Sequence, residues 1–154
     1  MASISYDDVF SVFMGSVTDY KLTSLEESDA YAIMAEHLHS AISETYVRRL
    51  FSSIAYDDAT QTITYNIKLS IDEKADEDFV ISALAKWMVY YWLHNQVRSV
   101  THTAQFFGGK ETRYYSQANH LAELRGLMDD AYREARMFVM DRGFIRNSYL
   151  GGAQ

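Results

Sequence analysis

The last third of the chain constrains the fold most, because it combines one long amphipathic helix with a short apolar end. Apolar residues recur at spacings of three and four from about Ser116 to Arg142, which is typical of a helix with one buried face. Roughly 27 residues at a rise of about 1.5 Å each span about 40 Å. A compact chain of this length has a radius of gyration of only about 15 Å. The helix is therefore predicted to cross the whole body and to end before Gly143, at the C′ position that favours a left-handed backbone.

The segment that follows this helix, residues 143–154, is too short to bury its own apolar side chains. Leaving each of them in water forgoes roughly 1.5–3 kcal/mol relative to full burial. We therefore expect this segment to dock on another protein. The predicted docking residues are Phe144, Ile145, Arg146, Tyr149 and Leu150.

Two shorter helices are predicted in the N-terminal part. Ser5 is a suitable N-cap for a first helix that ends near Gly15. A second helix is predicted to begin at Thr23, where Thr23 and Ser24 each precede a glutamate by three residues, as in a capping box. Its apolar face contains His37 and extends to about Thr45.

A β-hairpin is predicted at about residues 47–69. Apolar and polar residues alternate from Thr62 to Leu69, which is typical of a half-buried strand. Residues 57–61 form a plausible hairpin loop. Whether residues 46–51 continue the preceding helix or already belong to the first strand stays open at this point.

A third helix is predicted to be capped by Asp76 and to contain the most apolar stretch of the chain, Phe79–Leu93. Because this stretch is apolar on almost every side, we expect a central core helix or one with a wall against another subunit. Lys86 interrupts it, and it is shorter than the roughly 20 residues that a membrane-spanning helix needs. We therefore expect no association with a membrane.

Together these patterns predict a mainly α fold, a helical bundle of about four helices with one β-hairpin and an extended C-terminal tail. Proline is absent and no low-complexity linker interrupts the chain. We expect a single helical domain over residues 1–142 and an extended docking tail over residues 143–154.

Charge is distributed unevenly along the chain. Residues 1–97 carry 6 Lys/Arg and 15 Asp/Glu, a net charge of −9, whereas residues 98–154 carry 8 and 6, a net charge of +2. The acidic majority argues against a general nucleic-acid-binding surface, which needs clustered cations. The opposite signs of the two parts could guide head-to-tail packing of copies.

No pattern in the chain indicates catalysis, a metal site or a cofactor. Cysteine is absent, which excludes thiolate chemistry. His37 and His39 are two residues apart on a predicted helix and so point to different sides. The Gly108-Gly109-Lys110 sequence does not match the spacing of a phosphate-binding loop. We therefore expect a protein that is not an enzyme, with no catalytic residue, no metal and no cofactor.

A hydrolase is the enzyme class that we weighed against this expectation. It would require a deep polar pocket in which His120, Glu123 or paired aspartates converge. The aspartate pairs, Asp57-Asp58 and Asp129-Asp130, are predicted in a turn and on a solvent face.

Four aromatic residues lie close to the glycines of a predicted connecting segment. Interface anchors and internal core are both open interpretations for them, since aromatic side chains dominate protein interfaces as well as cores. These subunit-interface candidates are Phe106, Phe107, Tyr114 and Tyr115.

Four segments carry a resemblance to a known family: residues 88–93 (MVYYWL), 105–111 (QFFGGKE), 114–121 (YYSQANHL) and 142–150 (RGFIRNSYL). From about residue 50 to residue 150 the chain resembles the head–tail connector, or adaptor, proteins of tailed bacteriophages. These segments contain no catalytic motif.

This resemblance implies a structural virion protein located in the neck between capsid and tail and made in the host cytoplasm. The family forms a homo-oligomeric ring, expected here to be a dodecamer, that extends the DNA channel below the portal protein. Its C-terminal segment would dock on the portal, and a stopper or tail protein would bind the other face. DNA would pass through without sequence-specific binding. The alternative is a small cytoplasmic regulatory or adaptor domain that binds one protein partner through its C-terminal tail.

Overall fold

A computed structural model of the chain describes residues 1–17, 26–106 and 111–144. Within these ranges the protein is mainly helical, with a small antiparallel sheet, which confirms the predicted fold class. The elements in chain order are β1 (Ala2–Ser5), α1 (Tyr6–Ser16), α2 (Glu27–Ser43), α3 (Thr45–Arg48), β2 (Phe51–Asp57), β3 (Thr62–Ile67), α4 (Glu73–Phe106) and α5 (Glu111–Phe144).

The sheet contains the predicted hairpin and one additional strand. Strands β2 and β3 pair around residues 58–61, and Ile63 and Tyr65 of β3 are buried, as their alternation indicates. Strand β1 pairs with the other edge of β3 and places Ile4 opposite Ile63, so the strand order is β1-β3-β2. Because β1 has four residues, it was too short for its own alternation to be recognised.

Local capping explains where the first helix begins. The Ser5 hydroxyl accepts a hydrogen bond from the amide of Asp8, and the Asp8 carboxylate accepts one from the amide of Ser5. This capping box confirms Ser5 as the N-cap. Helix α1 ends at Ser16, one residue beyond the predicted Gly15.

Helix α2 buries most of the face predicted from its sequence. Its described part begins at Glu27 after an N-cap at Glu26 that makes no side-chain capping hydrogen bond. The predicted caps Thr23 and Ser24 lie outside the described residues. The buried residues of this helix are Met34, His37, Leu38, Ala41 and Ile42. Residues 46–51 neither continue α2 nor lie wholly in the first hairpin strand. Helix α2 ends at Ser43, residues 45–48 form the short helix α3, and β2 begins at Phe51.

Helix α4 is the central element of the core, but Asp76 does not cap it. The cap is formed by Asp72, whose side-chain oxygen accepts a hydrogen bond from the amide of Ala75 at 2.8 Å. Asp76 instead lies in the first turn with its side chain buried. Further along, Trp87 is completely buried. The rings around it belong to Tyr46, Tyr90, Tyr91 and Tyr132.

Helix α5 runs antiparallel along α4. Lys86 on α4 forms an ion pair with Glu134 at 2.5 Å, and the rings of Phe79 and Phe138 stack at 5.2 Å. With 34 residues, α5 is about 50 Å long, longer than predicted. The apolar residues whose spacing of three and four predicts this helix are buried at Ala135 and Val139, half-buried at Leu121, Leu124, Met128, Ala131 and Phe138, and exposed at Ala118. The packing is therefore tightest towards the C-terminal end.

The prediction that Gly143 follows the end of this helix is wrong. Helix α5 continues through Gly143 to Phe144. The physical reason is that glycine adopts right-handed helical geometry as well as the left-handed one, so Gly143 permits a helix end without imposing it.

The buried ion pair between Asp76 and Arg142 predicts a large stability difference between two chemically identical substitutions. Asp76→Asn leaves the guanidinium without a countercharge and should lower the free energy of unfolding by about 3–5 kcal/mol. Asp78→Asn removes an exposed carboxylate of the same helix, bound to Lys74 at 3.0 Å, and should change it by less than about 0.5 kcal/mol. Urea unfolding measures both values. Equal effects of the two substitutions would contradict the structural role assigned to Asp76.

Candidate interaction site

The place where the chain leaves α5 is held by a buried contact between the two long helices. The Arg142 guanidinium binds the carboxylate of Asp76, donates a hydrogen bond to the carbonyl of Leu69 at 3.1 Å, and lies over the ring of Phe79 at 4.2 Å. We call this group, Leu69, Asp76, Phe79 and Arg142, the exit site. It fixes the last helical turn immediately before residues 145–154.

The electrostatics of the exit site favour a permanently charged pair. Burial alone raises the pKa of Asp76, but hydrogen bonds from the Ser70 hydroxyl at 2.6 Å and the Ile71 amide at 3.1 Å act in the opposite direction. The Arg142 guanidinium adds to them, and the net effect holds the pKa of Asp76 below its usual value. The pair therefore stays ionised throughout the neutral range.

A cavity of about 300 Å³ adjoins the exit site. It lies between the N-terminal strand and the start of α4. The lining residues are Met1, Ala2, Tyr65, Asn66, Ile67, Ser70, Glu73 and Asp76. Since Asp76 both lines this cavity and binds Arg142, the cavity belongs to the same end of the molecule as the departing chain.

The predicted docking residues are only partly within the described structure. Phe144 is the last residue of α5. Ile145, Arg146, Tyr149 and Leu150 lie outside the described residues. The structure therefore positions the start of the proposed docking segment, next to the exit site.

The predicted interface candidates lie at the opposite end of the two long helices. Phe106 is the last residue of α4, and Tyr114 and Tyr115 lie in the N-terminal part of α5. They were expected in a connecting segment, so this placement is a correction: the two helices extend further towards each other than the glycines suggested. Phe107 lies outside the described residues. Their role as interface anchors stays a prediction.

A polar cluster joins the hairpin turn to two helices. The Tyr6 hydroxyl donates to Asp58 at 2.7 Å, and the Nε2 of His39 lies 2.8 Å from the same carboxylate oxygen. The His39 ring stacks on Tyr56 at 4.1 Å. The hydrogen bond from Tyr6, followed by that from His39, lowers the pKa of Asp58. An anion held by two donors in this way ties the turn to α1 and α2.

Sequence reasoning placed Asp58 in a turn correctly, but Asp57 is the last residue of β2 and pairs with Thr62. It also missed the partners of Asp58. Tyr6 and His39 are separated from it by 52 and 19 residues. No spacing rule connects positions so distant, and only the tertiary arrangement, in which α1 and α2 both pack on α4, brings them together.

The other candidates for chemistry lie apart from one another. His37 is buried, and burial lowers its pKa. His120 and Glu123 are both exposed on α5. In the parts of the chain that the structure describes, no group of three or more His, Cys, Asp or Glu could hold a metal ion. No helix in those parts is both long and apolar enough to cross a membrane.

Comparisons of the chain with protein-family models, curated proteins and solved structures gave no match.

The Tyr6–Asp58 hydrogen bond predicts a measurable change in one carboxyl pKa. Tyr6→Phe removes the largest cause of the lowered pKa of Asp58, so this pKa should rise towards its usual range. A carboxyl pKa that is lower in the folded than in the unfolded chain stabilises the protein at pH values above the unfolded pKa, and this stabilisation is lost as the pH falls through the folded pKa. The free energy of unfolding of the Tyr6→Phe protein should therefore rise less between acidic and neutral pH than that of the wild type. Carbon-detected NMR titration of the carboxyl group measures the pKa.

Tyr56→Phe is the matched control, since Tyr56 stacks on His39 and is not a cause of the lowered Asp58 pKa. It should leave that pKa unchanged. An unchanged Asp58 titration in the Tyr6→Phe protein would contradict the assigned hydrogen bond.

Proposed function

We propose that the protein is a structural virion subunit, a head–tail connector (adaptor) that forms a ring, docks on the portal protein through its C-terminal segment and extends the DNA channel towards the tail. A stopper or tail protein binds the opposite face. The subunit is made in the host cytoplasm and acts in the neck of the particle.

The exit site is the observation that carries this proposal. A docking segment is most effective when its attachment point is rigid, because less conformational freedom is then lost on binding. Arg142 is 8% exposed and Asp76 5% exposed, and their pair fixes the end of α5. Residues 145–154, with Ile145, Tyr149 and Leu150, therefore start from an anchored position.

The resemblance to connector proteins supports the same function. Its segments lie mainly on the two long helices. Residues 88–93 belong to the central part of α4, residues 114–121 to the N-terminal part of α5, and Arg142 to the exit site. The family likeness thus concentrates on the elements that would connect the docking segment with the interface candidates.

The charge distribution is compatible with a channel component. A closed ring requires heterologous contacts, in which one patch of a subunit meets a different patch of the next. The net charge of −9 over residues 1–97 suits a wall along which DNA slides, because contacts that release counterions would retain it. DNA is therefore a passing polymer in this proposal, not a specific ligand.

A regulatory domain that binds one partner through the same tail is the second candidate. The anchored C-terminal segment serves it equally well. The two functions differ in assembly, since the regulatory domain remains a single copy when its partner is bound, whereas the connector becomes a ring.

Removal of residues 145–154 should abolish portal binding and leave the fold intact. The deleted segment lies beyond the last residue of α5, so circular dichroism and the melting temperature should match those of the full chain. Binding to the portal protein of the same phage, followed by sedimentation, should fall below detection. Undiminished binding by the truncated chain would refute docking through this segment.

Two double variants of full length test whether the apolar side chains of this segment, and not merely its presence, are needed for portal binding. Ile145→Ala with Leu150→Ala should weaken portal binding by about a hundredfold or more, since two apolar anchors are lost. The matched control, Asn147→Ala with Ser148→Ala, alters the same segment without removing an apolar side chain and should bind normally.

A complex with one copy of the full chain per portal ring would favour the regulatory domain.

A further inference from the structure

The exposed surface of α5 carries negative charge along one side. Four acidic residues follow one another at intervals of seven, four and seven positions. At about 100° per residue they lie within about 40° of each other around the helix. All four are exposed: Glu123, Asp130, Glu134 and Asp141. We call them the acidic flank.

The other side of the same helix carries positive charge. Arg125, Arg133 and Arg136 are exposed there, with Asp129 among them, so this basic flank has a net charge of +2 against −4 for the acidic flank. Arg125 and Arg136 each follow an acidic-flank residue by two positions, and residues two apart on a helix point to different sides. The helix therefore has opposite charges on its two sides.

Among the described residues, most of these charges have no ion-pair partner. Glu134 binds Lys86, and Arg136 lies over the ring of Tyr46 at 5.2 Å. The ion pairs of the described residues include none of the others, namely Glu123, Arg125, Asp129, Asp130, Arg133 and Asp141. Like charges four positions apart destabilise a helix, as at Asp130 and Glu134. A ligand with complementary charge would relieve this repulsion.

We propose that the acidic flank of α5 binds the basic flank of α5 in a second copy of the chain, with the two helices side by side and parallel. The inference deepens the proposed ring and rests on it, because it identifies the surface through which copies meet. Met137, which is 56% exposed, lies between the flanks and adds apolar contact.

The spacing of the charges fits a closed ring. When two parallel helices lie at the same height, Glu123 is two positions from Arg125 of the neighbour, and Glu134 is two positions from Arg136. Asp130 is three positions from Arg133. These offsets correspond to about 3–4.5 Å along the axis, a distance that an arginine side chain spans. Copies related without a shift along the axis close into a ring instead of climbing into a filament.

A two-fold dimer is the competing arrangement. An antiparallel two-fold contact sets each flank against its own copy, and like charges across an interface repel. A parallel two-fold contact centred on Met137 would pair acidic with basic flanks twice, because residue i meets residue j and j meets i in an isologous contact. That contact closes at two copies, whereas the head-to-tail contact leaves one flank of each copy open for the next.

Charge reversal tests the inference. One variant carries Glu123→Lys with Asp130→Lys, and the other carries Arg125→Glu with Arg133→Glu. All four side chains are exposed, and none belongs to an ion pair of the described residues, so melting temperatures should stay near that of the wild type. Sedimentation across micromolar to millimolar concentrations, with and without portal protein, measures assembly.

Each variant alone should assemble at least about tenfold more weakly than the wild type, because like charges then face each other in every contact. An equimolar mixture of the two should recover assembly. In a ring in which the variants alternate, the lysines on the acidic flank of one variant face the glutamates on the basic flank of the other, and the unchanged flanks face each other. The matched control, Asp29→Lys with Glu36→Lys on α2, changes the net charge by the same amount as the acidic-flank variant and should assemble normally.

Cysteine cross-linking gives an independent readout, because the chain contains no cysteine. The variant with Glu123→Cys and Arg125→Cys has one thiol on each flank, and oxidation should yield a ladder of covalent oligomers. Glu123→Cys alone should remain monomeric on a denaturing gel. Efficient dimers of the single variant, or products of the double variant that stop at two copies, would establish an isologous contact and overturn the inference.

The remaining outcomes separate the two proposals. Rings that form on the portal regardless of charge reversal would overturn this interface and leave the connector function standing. Loss of assembly in both variants without recovery in the mixture would also overturn it. A wild-type chain that stays a single copy at every concentration and on the portal would overturn both.

Discussion

The buried ion pair between Asp76 and Arg142 is the contact on which the arrangement of the two long helices depends. It joins the first turn of α4 to the last turn of α5, so it sets their register. Ser70, Ile71 and the carbonyl of Leu69 satisfy much of the remaining hydrogen-bonding capacity. This matters because a buried charge that lacks partners costs more than its attraction returns. The same contact fixes where residues 145–154 begin.

A second long-range contact holds the hairpin turn to the two N-terminal helices. Asp58 accepts hydrogen bonds that connect the hairpin turn to α1 through Tyr6 and to α2 through His39. The apolar core contains Trp87, which is completely buried. The polar pairs thus specify how the elements are oriented, while burial of the α4 side chains supplies most of the driving force. The outer surface of α5 remains available for partners.

Features that depend on neighbouring residues could be predicted from the sequence. The capping box of Ser5 and Asp8, the buried face of α2 and the alternation in β3 all follow from spacings of at most four residues. Predictions failed where the local sequence permits two outcomes. Aspartate is a common helix cap, yet Asp72 caps α4 and Asp76 is buried in its first turn, where it binds Arg142. Glycine often follows a helix end, yet α5 continues through Gly143 to Phe144, because glycine also adopts right-handed helical geometry.

The sequence by itself determined the helical class, the hairpin and the apolar character of residues 143–154, because each is encoded by local periodicity or composition. Only the tertiary structure decided that β1 completes the sheet, that Asp58 joins Tyr6 to His39, and that the last turn of α5 is fixed beside the first turn of α4. These contacts link residues that are 19 to 66 positions apart, and nothing in local spacing identifies which distant partner a polar side chain will meet. The opposite charges on the two sides of α5 depend on both the sequence and the tertiary structure. Their periodicity is written in the sequence, whereas their exposure follows from which face of the helix packs on α4.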